Sequence, residues 1–337
     1  MRTTPLAASG QVVTPYRGGQ IAAVSSPGLE FHPWPAGQLL LYDASWRAVL
    51  ALEGPEARKW LNGMITTNVR DLVPGQWAPG FQLDPKGHIL ASLDLVCTAP
   101  DSFLLLTDEA QREGLEQRLR RFVFISKLTI EDRSASWSAL RLRGPRAAEI
   151  AAEAGWCAPA PEPQQGLAHP SGGWTLASAP AGIPQLEFVA PAAAAAALWE
   201  RLQALAQPAG PAAQERDRIF ARQPLYGVDI SEAELPQETG QMDHLSFTKG
   251  CYIGQEIVER IRARGAVHRH WSAFGFAAHV AAGAAIESEG RAAGKITSVA
   301  PPTQDSADTK YFALGYIRDA TPGAAVTAAG VSGQLLE

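Results

Sequence analysis

Apolar residues recur with two different periods along the chain, and these periods predict its elements. Alternating or short continuous apolar runs such as "LLLYD", "RAVLALEG" and "HILASLDLVC" predict strands, because strand side chains change face at every residue. Helical spacing appears in "EAQREGLEQRLRRFVF" and in "GPEARKWLNGMI", whose apolar face would consist of Ala57, Trp60, Leu61 and Met64. Strands that alternate with single helices, several joined by tight turns, predict an α+β fold rather than a doubly wound parallel sheet.

The order of elements is repeated, which predicts two related halves. "SWSALRLRGPRAAEIAAEAG" repeats the strand, Gly-Pro and helix order of "RAVLALEGPEARKWLNG". After residue 265, short apolar pieces such as "YFALGYI" are separated by Gly and Asp and predict a small all-β domain. We therefore expect an α+β unit over 1–135 with an irregular lead-in over 1–35, a second α+β unit over 136–265, and a β-domain over 266–337.

Composition and charge narrow the class of protein. The 337 residues are 46% hydrophobic and 19% charged with a formal net charge of -5, which argues against a general nucleic-acid binder. No apolar run is long enough for a transmembrane helix, and the first residues lack the apolar stretch of a signal peptide. The three cysteines, Cys97, Cys157 and Cys251, are odd in number and far apart, unlike a disulfide framework or a zinc site. A cytoplasmic protein with free thiols and no metal site is expected.

The stretch "FTKGCYIGQEIVERIRARG" at residues 247–265 predicts a helix that begins just after a cysteine. Its apolar face would consist of Ile253, Ile257, Val258 and Ile261. Glu256 stands four residues before Arg260, a spacing that favours an ion pair, and Gly265 is suited to the residue after the helix.

Cys251 would lie at or just before the start of this helix. Unpaired N–H groups and the helix dipole favour an anion there, and Lys249 adds a positive charge, so both would lower the pKa of the thiol. Gly250 and Gly254 allow unusual dihedral angles on either side. A buried structural cysteine is the alternative, because free cysteines are often buried. Sequence spacing does not place any histidine beside the sulfur as a catalytic partner.

The motif "KGCYIGQE" resembles the signature of the YgfZ-type folate-binding proteins. Its residues here are Lys249, Gly250, Cys251, Tyr252, Ile253, Gly254, Gln255 and Glu256. That family includes mitochondrial relatives that help to mature iron–sulfur proteins, and its superfamily contains the glycine-cleavage T-protein, an aminomethyltransferase. "WLNGMITTNVRDLVPGQ" and "LDPKGHILASLDLV" also resemble conserved blocks of the superfamily. The resemblance covers about residues 38 to 320.

The resemblance implies a three-domain fold of the T-protein type. Two units with ferredoxin-like parts would surround a central channel that holds tetrahydrofolate or a one-carbon derivative, and an antiparallel β-barrel would follow. Positions that match the family's folate contacts are Thr67, Asn68, Val69 and Arg218, and Trp46 stands near a place where the family stacks a ring. Asn68 could instead turn the chain, and Trp46 could be a core residue.

The chain departs from the T-protein at two carboxylate positions. Ala91 and Ser92 stand where the T-protein has a carboxylate that assists methylene transfer, although Asp94 should share a strand face with Ser92. Phe220 stands where a pterin-binding Glu is common. Both departures argue against aminomethyl transfer.

The expected function is that of a folate-binding accessory factor for iron–sulfur cluster assembly or repair. Cys251 would be its reactive thiol, and client iron–sulfur proteins or assembly factors would be partners of a monomer. One alternative is a glycine-cleavage-type aminomethyltransferase. Another is an accessory protein of tRNA or RNA modification, motivated by the basic residues Arg260, Arg262, Arg264, His268, Arg269 and His270.

Overall fold

The computed structural model describes residues 2–9, 12–23, 38–265, 267–300, 311–318 and 321–336. The lead-in contains a 3-10 helix, Pro5–Ser9, and a hairpin of β1 (Val13–Tyr16) and β2 (Gly19–Ala22). An irregular structure was the wrong prediction for this hairpin. Its two-residue turn has positive φ at Arg17 and Gly18, which suits the twist of paired strands. Residues 24–37 of the lead-in lie outside the described part of the chain.

The first α+β unit is an antiparallel sheet with two helices on one face. Its elements follow β3 (Leu40–Asp43) and are β4 (Arg47–Glu53), α1 (Ala57–Met64), β5 (Trp77–Leu83), β6 (Ile89–Ala99), β7 (Ser102–Asp108), α2 (Glu109–Arg120) and β8 (Thr129–Asp132). The five strands are ordered β5-β6-β7-β4-β8. A core that includes Leu50, Leu61, Leu95, Leu105 and Leu115 lies between this sheet and the helices.

The second unit repeats this plan and takes one strand from the first part of the chain. Its elements are β9 (Trp137–Arg143), α3 (Ala147–Glu153), β10 (Gly166–Ala168), β11 (Trp174–Ser178), β12 (Gln185–Pro191), α4 (Ala192–Leu202) and β13 (Gln207–Ala209). The six strands are ordered β10-β11-β12-β9-β3-β13. Strand β3, which lies within residues 1–135, therefore belongs to the second sheet, and β13 pairs with it in parallel.

A closed antiparallel barrel follows the two units. In the sequence, four helices lie between the second unit and the barrel: α5 (Pro211–Phe220), the 3-10 helices Pro236–Thr239 and Met242–His244, and α6 (Gln255–Arg264). The barrel strands are β14 (His270–Phe276), β15 (Ala285–Ser288), β16 (Arg291–Val299), β17 (Tyr311–Ile317), β18 (Ala325–Ala328) and β19 (Val331–Leu335). The predicted α+β fold with a C-terminal antiparallel barrel is confirmed. Among the described residues, no helix has the length and apolar character needed to cross a membrane.

The two sheets face each other through the sides that the helices leave free. Their shared core includes Val49, Val96, Leu106, Ala139 and Val189. Because strand side chains alternate, residues two positions away from these on the same strand lie on the same inner face. Towards one end of the five strands they are charged, so the apolar contact between the sheets is replaced there by a polar space; these residues are Arg47, Asp94, Asp108, Arg141 and Glu187.

Candidate functional site

A cavity of about 630 Å³ occupies the polar space between the sheets. Its walls come from both sheets, from the turn of the β1–β2 hairpin, and from residues 222–226, 240, 241, 243 and 244. The volume lies within the range of small-molecule sites in proteins. Aromatic walls (Trp46, Trp77 and Tyr226) and several charged groups make it suited to a polar molecule that contains a flat ring.

Paired charges form one wall of the cavity. Glu187 on β12 accepts hydrogen bonds from Arg47 Nε at 2.9 Å and from Arg141 Nε at 2.5 Å, and Asp94 accepts one from Arg47 Nη2. Burial by itself would raise the pKa of the Glu187 carboxyl, but the two guanidinium groups hold the pKa down at about 2. These charges are therefore fixed in place across the two sheets before any ligand enters.

Trp46 lies where the shared core meets the cavity. Its side chain is fully buried, and its indole N–H donates a hydrogen bond of 3.3 Å to Gln214 Oε1. The guanidinium carbons of Arg17 and Arg141 lie 4.2 and 4.6 Å from the ring centroid, within the range of cation–π attraction. Trp46 is therefore a core residue that also borders the cavity, and the stacking of a folate ring on it stays a prediction.

Arg218 lines the cavity and at the same time joins α5 to the barrel. It donates hydrogen bonds to Asp229 Oδ2 at 2.5 Å and to Ser298 Oγ at 2.8 Å. Since Asp229 also accepts hydrogen bonds from the barrel residues Thr297 and Ser298, this charge is part of a structural network. A folate contact by Arg218 stays a prediction.

The block expected to contact folate, residues 67–69, is not among the residues that line the cavity. Thr67 donates its hydroxyl hydrogen to Pro79 O, and Val69 is a fully buried core residue. Asn68 donates a hydrogen bond of 2.7 Å to Asp71 Oδ2 and accepts one from the Asp71 N–H. This bonding is typical of an Asn that turns the chain, which was the alternative interpretation of Asn68.

Strand alternation on β6 is as the sequence predicted. Ala91 is buried in the core beneath the helices, whereas Ser92 and Asp94 line the cavity. Phe220 lies outside the cavity lining and stacks on Phe312 of the barrel, with ring centroids 5.0 Å apart. The cavity carboxylates come instead from Asp94, Asp108, Glu187 and Asp243. Asp108 is not among the site residues predicted from the sequence, although strand alternation in "SFLLLTD" places it on the inner face with Leu106.

The cysteine motif is docked against the edge of the first sheet. Helix α6 begins at Gln255 after Gly254, whose φ is +84°. An added Cβ on Gly254 would lie 2.6 Å from Asp84 O in the β5–β6 turn, so this close approach requires glycine. The Ile253 N–H donates to Gly63 O at 3.2 Å. Cys251 lies three residues before the residue that caps the helix and is exposed.

Lys249 is turned away from solvent. Its Nζ donates hydrogen bonds to the carbonyl oxygens of Ile65 and Thr67, the second at 2.7 Å, and the residue is only 2% exposed. Burial lowers the pKa of Lys249 to about 7, and a neutral amine still has two N–H bonds for the two carbonyls. The amine of Lys249 therefore joins the motif to residues 65–67, and its effect on the thiol of Cys251 stays a prediction.

The other motif residues support this docking or begin the helix. The ring of Tyr252 is buried among Phe81, Leu83, Ile89 and Val258. Gln255 and the exposed Glu256 form the first turn of α6, where an acidic group favours the helix dipole. Residues 249–256 do not contribute to the lining of the cavity. The thiol and the cavity are therefore two separate sites within the described structure.

The basic residues after the motif are partly engaged in ion pairs. Arg269 bonds to Glu238 at 3.0 Å and to Glu234 at 3.1 Å, which ties the start of the barrel to the preceding segment. Arg262 lies 3.5 Å from Glu259. The ion pair on α6 thus joins Glu259 to Arg262, whereas the pair expected from the sequence, between Glu256 and Arg260, is not among the ion pairs of the described residues. The basic cluster is thus smaller than its sequence indicates.

Comparison with known proteins gives consistent relatives. An aminomethyltransferase from Rubrobacter xylanophilus is 28% identical over 231 residues, which cover 67% of this chain and 62% of that protein. The tRNA-modifying protein YgfZ from Cronobacter sakazakii is 28% identical over 253 residues, covering 72% of this chain and 75% of that protein. The chain thus spans less than two thirds of the length of the Rubrobacter relative.

The fold has a close counterpart among solved structures. The glycine cleavage system aminomethyltransferase T from Bartonella henselae matches with a TM-score of 0.87 and 22% identity, over 100% of this chain and 97% of that one. Residues 36–156 match the family model of the GCVT N-terminal domain. The first α+β unit is thus similar to this domain, and the fold of the whole chain is similar to that of an aminomethyltransferase T.

Proposed function

We propose that the protein is a tetrahydrofolate-binding accessory factor of the YgfZ type, which supports iron–sulfur cluster assembly or repair through the thiol of Cys251. The observation that carries this proposal is the separation of two sites: a polar cavity that suits a folate, and an exposed thiol outside it. A cytoplasmic location, client iron–sulfur proteins or assembly factors as partners, and a monomeric state are parts of the same proposal.

The cavity supports the folate part of the proposal. A folate combines a flat ring rich in hydrogen-bond donors and acceptors with an anionic tail. The cavity offers aromatic walls, carboxylates on its inner strands, and arginines at positions 17 and 222 near the loops that enclose it. The walls are held by buried ion pairs, so little reorganisation would be needed on binding.

The setting of Cys251 supports the thiol part. Two glycines in the left-handed region and a buried lysine hold this segment against the first sheet, while the cysteine between them stays exposed. Its two counterparts, Cys97 and Cys157, are buried. An exposed cysteine on a fixed segment is accessible to a partner protein. Its thiolate could attack a disulfide of the partner, which forms a mixed disulfide and releases one partner thiol, or take the outer sulfur of a partner persulfide, which leaves the partner as a thiol.

Two measurements test the proposal. Isothermal titration with tetrahydrofolate should give saturable binding at one site per chain. In a strain deleted for the gene, the Cys251→Ser variant should fold normally yet fail to restore the activity of iron–sulfur enzymes, whereas Cys157→Ser should restore it. Full restoration by Cys251→Ser would remove the thiol from the proposal, and lack of tetrahydrofolate binding would remove the cofactor.

The second candidate is an aminomethyltransferase, favoured by the activity in the names of several relatives and by the carboxylates that face the cavity. Tetrahydrofolate-dependent release of methylene from a loaded lipoyl-carrier protein would identify it. The name of the Cronobacter relative raises a third candidate, action on tRNA. Tight, salt-dependent tRNA binding by this chain would support that function.

A further inference from the structure

Among the described residues, four carboxylates line the cavity, and one of them has no bonded partner. Asp94 and Glu187 are bonded to arginines, and Asp243 accepts a hydrogen bond of 3.0 Å from His244 Nδ1. The fourth, Asp108, is 7% exposed, and within the described residues its carboxyl group has no hydrogen bond or ion pair. A buried carboxyl without a partner is costly to keep.

The position of Asp108 is fixed by the sheet. It is the last residue of β7, and its backbone pairs with Arg47 of β4. Since Asp94 pairs with Leu106, alternation places Asp108 on the same inner face and opposite Ser92. Asp108 precedes helix α2, but its side chain does not cap the helix. The carboxyl group is therefore directed into the cavity rather than used by its own helix.

A second side chain near Asp108 also has an unused hydrogen-bonding group. Gln111, on the first turn of α2, also lines the cavity and is 8% exposed. Its Oε1 accepts a hydrogen bond of 2.9 Å from the Ser92 N–H, whereas its Nε2 has no acceptor among the described residues. Residues three apart on a helix are neighbours, so the cavity presents an acceptor at Asp108 next to a donor at Gln111.

We propose that Asp108 and Gln111 bind the lactam–amidine edge of a 2-amino-4-oxopyrimidine ring, the ring system of tetrahydrofolate. The carboxylate of Asp108 accepts hydrogen bonds from the ring N–H and the amino group, and Gln111 Nε2 donates to the ring carbonyl. This assignment rests on the proposed folate binding and adds the residues that orient the ring.

The burial of Asp108 and the charges around it should make the affinity for the ring depend on pH. Burial raises the pKa of the Asp108 carboxyl, Arg17, Arg47 and Arg141 oppose this increase, and Asp94 adds to it. As the pH falls through this raised pKa, the carboxylate becomes protonated and loses an acceptor for the ring N–H donors. Affinity for the ring should therefore decrease towards acidic pH.

The test is the affinity for tetrahydrofolate of the wild type and of Asp108→Asn, measured by anaerobic titration calorimetry from about pH 8 to about pH 5. Near pH 8 the variant should bind about tenfold more weakly or worse, because the amide places N–H donors against ring donors. The wild type should lose affinity as the pH falls, and the variant should lose less. Because Asp108→Asn retains every other titrating group of the cavity, the difference between the two profiles reports on Asp108.

Glu113→Gln is the matched control, because Glu113 lies on the exposed side of the same helix; its affinity and pH profile should equal those of the wild type. Equal affinity and equal pH profiles for Asp108→Asn and wild type would overturn the assignment while leaving folate binding intact. No binding by the wild type would instead overturn the proposed function itself. If Asp108→Asn does not fold, Gln111→Met takes its place: it removes the Nε2 donor and should weaken binding, and an affinity equal to that of the wild type would overturn the assignment.

Discussion

The two glycines of the cysteine motif allow a sharp test of how that motif is docked. Gly250 and Gly254 both have φ in the left-handed region, at +94° and +84°. They differ in their surroundings: an added Cβ on Gly250 would meet no atom within 4 Å, whereas one on Gly254 would lie 2.6 Å from Asp84 O. Replacing each by alanine therefore separates backbone strain from steric overlap.

The expected magnitudes follow from these two contributions. Placing alanine in the left-handed region costs about 1–2 kcal/mol, partly offset by about 0.4–1 kcal/mol from the reduced freedom of the unfolded chain. Gly250→Ala should thus destabilise by about 1 kcal/mol. Gly254→Ala adds an overlap with a main-chain oxygen that no side-chain rotation relieves, which costs about 1–3 kcal/mol more.

Urea unfolding gives the free-energy differences, and hydrogen exchange of the Ile253 N–H reports on the docking itself, because this group is bonded to Gly63 O. Exchange at Ile253 should accelerate in Gly254→Ala and change little in Gly250→Ala. Equal destabilisation by both substitutions, with unchanged exchange in each, would show that the motif does not pack against the β5–β6 turn as described.

Three further outcomes follow from single residues. The amine of Lys249 has a pKa near 7 in the folded protein and an ordinary value of 10.5, so between these values the unfolded chain binds more protons than the folded one. The free energy of unfolding should therefore rise with pH across this window, by at most about 1.4 kcal/mol per pH unit. Urea titrations of Lys249→Met at the same pH values should lack that rise. Arg47→Met leaves two carboxylates facing the cavity without their shared guanidinium and should cost about 3–5 kcal/mol. Arg70→Met removes an exposed pair and should leave the free energy of unfolding almost unchanged; a similar loss of stability in both variants would contradict the buried network. In the native protein an aromatic disulfide reagent should modify Cys251 alone, and Cys251→Ser should abolish the rapid reaction; reaction of a second thiol before unfolding would contradict the burial of the other two.

The sequence alone determined many of the elements after residue 38 and one local feature of the cysteine motif, but not the hairpin of β1 and β2. Periodicity predicted strands such as Arg47–Glu53 and helices such as α1 and α2, because burying one face imposes a repeat of two or of about 3.6 residues. The same alternation predicted that Ser92 and Asp94 share a face. The sequence also predicted a helix that begins at or just after Cys251 and ends before Gly265. The helix does end at Arg264, but it begins at Gln255, because Gly254 adopts a left-handed conformation, and Ile253 therefore lies before the helix.

Tertiary structure alone decided which of these residues meet. The cavity exists because two sheets turn their inner faces towards each other, and the facing registers of β7 and β12 are not encoded in either strand by itself. Phe220 contacts the barrel and Lys249 bonds to the chain at residues 65–67 because distant segments come together there. Local patterns fix the face on which a side chain lies, whereas its partners depend on contacts between segments far apart in sequence.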